Sequence, residues 1–488
     1  MSYLEKVEKS QNNEDLRINP NIPMQDRDSI LKLWGVINSG KPYAQILEYI
    51  DNEIQESVRT VSFNYQISCF LSDGAYALSR AVEGKIGFAK QQNSGPSGQP
   101  PKMIDVKFAD GSHIKVPFGK INLPIFGEDA YVDMRYNSSD QVLHVNGQCQ
   151  KRYVRDLDNI IDETINIIKT DSIYKNQALR FEKGKEPTFI DLKGMDNIPL
   201  FLTPEAKFAT EPIEARIERT EECIKNNIDI KFGAILEGPY GSGKTLYASK
   251  LALKAVRNNW TYVYCKNPED AKEALQMAQK FSANGKGILL FVEDIDRVLN
   301  SRNDMTNEIS LLMDGGETKT NNVITLFTTN HIENIDPTFL RGKRVGSIVT
   351  LAHLDKETAK EMLLTNLKDE FGDSLVEGEI NEAAAEIEKL KIVPAFISEI
   401  TDRVKTHLIF SKRTTVTNQD ILSAIKNFQR QMDIAKAKSP EPSLYEKTGM
   451  ILSEIIQKST ASIDNSAISE NETIQEIAEK VDVIYQNT

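Results

Sequence analysis

What this chain is short of narrows its chemistry before any motif is read. Cysteine occurs four times in 488 residues, at Cys69, Cys149, Cys223 and Cys265, with no C-x-x-C pair. So widely spaced, the four read as small buried hydrophobes in a reducing compartment rather than staples or zinc ligands. Histidine is as sparse, five in all, and forms no metal-spaced cluster. No window approaches about 18 consecutive apolar residues, so no membrane span is expected. The first residues, Met1-Ser2-Tyr3-Leu4-Glu5-Lys6, offer neither an apolar signal core nor an Arg-rich, acid-poor transit segment, and a cytoplasmic chain is expected. Positive charge is in deficit, 59 Lys and Arg against 71 Asp and Glu, a net charge of −12. That disfavours a general nucleic-acid coat, although a local basic channel could sit inside it.

What is present is an ordinary globular composition, 40% hydrophobic and 27% charged, on a length that predicts two or three domains. Its organising stretch is Gly238-Pro239-Tyr240-Gly241-Ser242-Gly243-Lys244-Thr245, which fits G-x-x-x-x-G-K-[ST] at every fixed position. An apolar run, residues 232–236, leads in as a buried strand, and a helical segment, residues 246–253, leads out. Glycines let the backbone curl so that successive N–H groups point at phosphate oxygens, and the helix end adds partial positive charge. The stretch therefore predicts a nucleoside triphosphate site, with Lys244 at the terminal phosphates and the Thr245 hydroxyl on Mg²⁺. A chance glycine turn would not come with both strand and helix.

Around it, strand-like segments at 261–264, 287–292, 323–327 and 347–351 alternate with helical ones such as 271–281. This pattern predicts a parallel sheet covered on both faces, with ligands at the carboxyl ends of its strands. An amphipathic helix is expected from Pro212. Beyond Leu351, segments 356–371, 380–390, 395–410 and 418–434 read as four helices of a lid, the last opened by a Thr417/Asp420 capping signature.

Upstream, residues 1–28 read as a flexible arm and 29–190 as a small α+β domain. It contains two helices broken at Asn38–Pro42, a Ser/Gly/Pro linker over 91–101, a hairpin around Ala109–Ser112, strands near 130–136 and 141–145, a helix over 155–169 and a strand within 172–182. Residues 436–488 read as a linker and an acidic tail with an apolar helical stripe (Ile474, Ile477, Val481, Ile484), a docking or self-association helix.

The third strand ends in Glu293-Asp294-Ile295-Asp296. Expected beside the P-loop strand, these carboxylates suit the handling of Mg²⁺ and the attacking water: one acid holds the metal, usually through water, and the next polarises the nucleophile. The fourth strand ends in Thr328-Thr329-Asn330, where an Asn can hydrogen-bond the water or the γ-phosphate. Arg341 and Arg344 follow, too far along the fold to reach their own phosphate, and suit a neighbour's γ-phosphate.

The three segments resemble Walker A, Walker B and the second region of homology of AAA ATPases, and with the lid the resemblance covers about residues 200–430. It implies a P-loop AAA+ α/β fold over 200–351, a helical lid over 352–435, and ATP and Mg²⁺ as cofactors. It also implies Glu293 near the metal, Asp294 as catalytic carboxylate, Asn330 as sensor, and Arg341 and Arg344 as arginine fingers in a ring, usually a hexamer. Glu293-Asp294, where most relatives carry Asp-Glu, and Thr-Thr-Asn-His are similar to the mitochondrial group that translocates the Rieske iron–sulfur protein. Asp294 is one methylene shorter than Glu, so slow hydrolysis is expected. Around the fingers the usual Pro-Gly-Arg-Phe-Asp is Gly342-Lys343-Arg344-Val345-Gly346, and Cys265–Asp270 replaces the aromatic–glycine pore loop of peptide-threading members. The reading that follows is an ATP-hydrolysing protein-remodelling ring whose N-terminal domain chooses the partner. A slow nucleotide-dependent binding switch and, least favoured by the acidic balance, a nucleic-acid-handling ATPase remain open beside it.

Overall fold

In the computed structural model, the described residues are 34–35, 39–40, 43–86, 102–282, 287–299, 304–314, 322–340, 344–371 and 380–437. The N-terminal arm, the first of the two early helices apart from 34–35, the 91–101 linker, Arg341 and the acidic tail lie outside them. The chain divides into two compact units, one of residues 1–361 with 388–396, the other of 362–387 with 397–488.

Among the described residues the first unit holds three sheets. Helix α1 (Tyr43–Val58) leads into strand β1 (Thr60–Ser68), whose Val61, Phe63, Tyr65 and Ile67 alternate inward. After helix α2 (Leu71–Ile86) comes the expected hairpin, β2 (Lys102–Lys107) and β3 (His113–Phe118), closed where Phe108 N–H donates to Ser112 O. Strands β4 (Lys120–Asn122), β5 (Tyr131–Asn137) and β6 (Val142–Gln150) join β1 in an antiparallel sheet ordered β1-β6-β5-β4. One of its faces is covered: Leu143, Val145 and Cys149 of β6 are buried with α2 and helix α3 (Val154–Thr170), while His144, Asn146 and Gln148 alternate outward.

The seven-stranded sheet is ordered β13-β9-β12-β11-β10-β7-β8. Its strands are β7 (Ala178–Phe181), β8 (Thr188–Phe189), β9 (Phe232–Glu237), β10 (Thr261–Cys265), β11 (Ile288–Val292), β12 (Val323–Thr329) and β13 (Ser347–Thr350). All pairings are parallel except β7 with β8. Every residue of β11 and β12 is buried, the continuous apolar run that a sheet covered on both faces requires. Alternation sorts them: Ile288, Leu290 and Val292 enter one core, Leu289 and Phe291 the other.

The second of those cores lies under helices α4 (Pro204–Glu218), α5 (Thr220–Lys225) and α6 (Lys244–Arg257), through Ile213, Ile217, Tyr247 and Leu251. Helix α4 starts two turns before the expected Pro212. Thr203 caps it, its Oγ1 accepting from Ala206 N–H, and Pro204 occupies the first turn, where no N–H is needed. Pro212 therefore sits inside the helix. The first core is covered by helices α7 (Ala271–Ser282) and α8 (Asp304–Asp314), and also by Phe70, Ala75, Val106 and Val116 from the N-terminal region. The strand expected within 172–182 is present as β7, but it pairs with β10 rather than with N-terminal strands. Helix α2 is shared, giving Ala75 to this first core and Ala77, Leu78, Ala81 and Val82 to the separate core of the four-stranded sheet. In its first turn Asp73 is buried and accepts from Ser172 Oγ (2.8 Å) and Ile173 N–H (3.1 Å).

The four expected lid helices are α9 (Lys356–Phe371), α10 (Ile380–Lys389), α11 (Pro394–Ser411) and α12 (Asn418–Ala437). The capping signature forms a reciprocal box: Asp420 N–H donates to Thr417 Oγ1 at 3.3 Å and Thr417 N–H to Asp420 Oδ2 at 3.0 Å. Within the second unit Ile380, Ala383, Ala384, Ile387, Ile397, Ile400, Val404 and Leu408 are buried.

Candidate nucleotide site

Three strand ends converge because β9, β11 and β12 are parallel. β12 lies between the other two, so the carboxylate strand is one removed from the P-loop strand rather than beside it. The register sets Val292 opposite Phe327, and Thr329 opposite Glu237, so Glu293, Asn330 and Gly238 emerge at one edge.

The loop after β9 could not be built from ordinary residues. Gly238, Gly241 and Gly243 hold φ of 153°, 81° and 99°, and a Cβ on Gly238 would lie 1.7 Å from Leu351 O. Gly241 O accepts from Ala395 N–H at 3.1 Å, which fastens the segment 388–396 onto the loop within the same unit. Pro239 O receives Ser242 N–H (3.3 Å), and Gly243 O receives Tyr247 N–H as α6 begins. Tyr240 is exposed at the tip.

Lys244 is buried, and its ammonium donates to Gly238 O (2.6 Å), Pro239 O (3.0 Å) and Asn330 Oδ1 (2.8 Å). Burial holds its pKa below the ordinary lysine range, against the pull of Asp294, Glu237, Asp296 and Glu293. Ser242 Oγ is buried with no hydrogen-bond partner among the described residues. An orphan hydroxyl, a desolvated ammonium and inward-curled backbone at a helix start fit a phosphate group. Thr245 Oγ1 donates to Glu293 Oε1 at 2.9 Å, a pair of hard oxygens that fits Mg²⁺ held directly or through water.

Asp294 stands in the left-handed region (φ 48°, ψ 47°), where the chain turns sharply from β11 into the 295–297 turn. Thr328 Oγ1 fixes that turn by accepting from Asp294 N–H at 3.0 Å. The Asp294 carboxylate receives Arg297 Nη2 on Oδ2 (2.8 Å) and Asn330 Nδ2 on Oδ1 (3.3 Å). Asn330 thus bridges the P-loop lysine and this carboxylate with its two amide ends.

The geometry brings Gly238 to Thr245, Glu293, Asp294 and Asn330 together. Arg344 stands apart. Its carbonyl lies against Gly233, near the start of β9, and its Nη1 donates to Thr338 O at 3.2 Å. About five residues of strand, roughly 17 Å, separate that end from the P-loop. Tyr264, Arg297 and Thr328 were not singled out from sequence. Tyr264 OH donates to Glu293 Oε2 at 2.8 Å, a contact that depends on strand register and has no signature in a single sequence. Arg297 could have been found from its i+3 spacing to Asp294 on a turn.

Residues 234–352 match the family model described as "ATPase family associated with various cellular activities (AAA)". The chain is similar to a cell division cycle protein 48 homolog of Archaeoglobus fulgidus, 25% identical over 47% of this chain and 34% of that protein. It is 26% identical to the ATP-dependent zinc metalloprotease FtsH 2 of Sphaerobacter thermophilus, over 49% of this chain and 36% of the relative. An "AAA ATPase forming ring-shaped complexes" of Corynebacterium diphtheriae is 24% identical over 43% of this chain and 45% of its own. The chain thus spans between a third and a half of these relatives' length. The family match falls on the strands whose ends carry the three motifs, and these residues form a domain of the AAA ATPase family.

Proposed function

We propose that this chain binds ATP with Mg²⁺, hydrolyses it in a ring of copies, and uses the cycle to remodel a protein partner. The observation that carries the reading is the Asn330 bridge, which ties the loop ammonium of Lys244 to the Asp294 carboxylate over a distance of two hydrogen bonds. In this reading the loop amides and Lys244 hold the phosphates, and Thr245 and Glu293 hold the metal. When bound, Mg²⁺ supplies charge neutralisation at the phosphate oxygens. Asp294 orients the attacking water and accepts its proton, and Asn330 aligns that water with the γ-phosphate. Arg344, far from its own loop, and Arg341 serve a neighbouring subunit's γ-phosphate. One relative named for ring-shaped complexes supports the assembly, for which six copies are the expected number. The Glu-Asp order of the carboxylates supports a place near the Rieske-protein translocase group. Partner selection falls to the N-terminal sheet region, and the working compartment is the cytoplasm.

The test is steady-state ATP hydrolysis by the wild type, Lys244→Ala and Asp294→Asn. Loss of turnover in both variants supports the reading. Mixing Arg341→Ala with Lys244→Ala subunits should restore partial turnover if sites are shared between copies, and no rescue at any ratio would overturn the trans role. One observation favours a second reading, a slow nucleotide-dependent switch: both Asp294 oxygens are already engaged, by Arg297 and Asn330. Equal, near-zero rates in all three proteins, with ATP-dependent partner capture retained, would select it.

A further inference from the structure

Beside the motifs, one side chain of the next strand reaches the candidate metal carboxylate. We propose that Tyr264 is a positioning residue for Glu293, locking its carboxylate for magnesium, and that Arg180 seats the tyrosine ring. The proposal rests on the ATP–Mg²⁺ reading above and assigns a role to residues outside its motifs.

The strand register places Arg180, Tyr264 and Phe291 in line across β7, β10 and β11. The Tyr264 ring stacks on Phe291, with centroids 5.6 Å apart and planes at 21°. On its other side the Arg180 guanidinium stands 5.7 Å from the ring centroid. Held from both sides, the ring directs its hydroxyl to Glu293 Oε2 at 2.8 Å, while Thr245 donates to Oε1 at 2.9 Å. The terminal torsion of a glutamate is otherwise broad. Two donors on rigid elements, one from a strand and one from the first turn of α6, leave the carboxylate one orientation. A carboxylate so fixed meets a metal without the cost of ordering, which is how outer partners tune metal affinity.

The experiment uses the full chain and the non-hydrolysable analogue AMP-PNP, with binding followed calorimetrically in EDTA and across a magnesium titration. Tyr264→Phe keeps the ring and deletes only the hydroxyl. The half-saturating Mg²⁺ concentration should rise about tenfold, with affinity in EDTA unchanged. In a Glu293→Gln background the same substitution should add nothing further. An unchanged magnesium midpoint, an equal loss in EDTA, or a full effect without the Glu293 charge would each overturn the proposal. Arg180→Gln, at an exposed site, provides an independent arm and should raise the midpoint about two- to threefold; no change there removes Arg180 from the assignment. If the wild type itself ignores AMP-PNP with magnesium, the functional reading falls and this inference with it. If the wild type binds and Tyr264→Phe matches it, this inference alone falls.

Discussion

The two larger sheets of the first unit solve burial differently. The four-stranded antiparallel sheet covers one face and leaves the other to solvent, so β6 alternates buried and half-buried residues along its length. The seven-stranded sheet covers both, and β12 is buried at all seven positions. A sheet clamped from both sides cannot shift one strand against another without breaking two cores, so the loops at its carboxyl edge start from fixed points. The polar side chains that must meet within hydrogen-bond distance are found there. The one-sided sheet has a surface to offer and, among the described residues, no comparable convergence of charged groups.

If that contrast governs the molecule, the largest effect on ligand binding should come from the carboxyl edge. Lys244→Ala removes a buried ammonium with three hydrogen bonds, and should weaken ATP binding roughly 100-fold, as loss of a charge-assisted contact does. Binding titrations check it, and a change under about threefold would detach the loop from nucleotide. Next, Phe327→Ala at the centre of the covered sheet leaves its T-shaped partner Phe339 beside a cavity and should cost about 3–5 kcal/mol in denaturant unfolding. On the open face of the other sheet, Asn64→Ala should stay within about 0.5 kcal/mol. Equal costs at the two sites would break the comparison.

A third prediction concerns Asp73, between the two cores. Burial pushes its carboxyl up to about 6, against the hydrogen bonds from Ser172 and Ile173. Because the folded pKa is raised, the group's contribution is intact below its unfolded value near 4 and is lost as pH rises through about 6. The loss is on the order of 3 kcal/mol. Asp73→Asn should therefore gain stability on the wild type as pH goes from 4 to 7; a constant gap across that range would refute the assignment. A small effect is also expected at Arg297, an exposed partner of Asp294, where alanine should cost under about 1 kcal/mol of stability. Its turnover relative to wild type reads whether the contact restrains the carboxylate, and a rise of about twofold or more would favour restraint.

The covered sheet was the legible part. Continuous apolar strands, a glycine loop and carboxylates at a strand end leave periods and spacings that one sequence displays, and the Thr417/Asp420 box likewise declares a helix start. Strand order was not legible, because consecutive strands need not be neighbours: β11 was expected beside β9, and β12 intervenes. Strand β1, with its alternating Val61, Phe63, Tyr65 and Ile67, carried a readable pattern that went unassigned among polar neighbours. Helix α4 was read from Pro212 because an internal proline looks like a first-turn one until the Thr203-Pro204 cap is weighed against it. Tyr264 was out of reach, since its role arises from register with strands 84 positions upstream and 27 downstream.

The pairing of β7 with β10 bears on how this molecule can be cut. A chain begun at residue 200 would keep every nucleotide-facing motif, yet would lack both β7 and β8, turning β10 into a bare edge with unpaired amides and exposing Val263 and Cys265 where Leu179 and Phe181 now lie. Such a fragment should aggregate, whereas one begun shortly before residue 172 would carry its own border strand, though it would lack α2 and the hairpin that cover the sheet beneath.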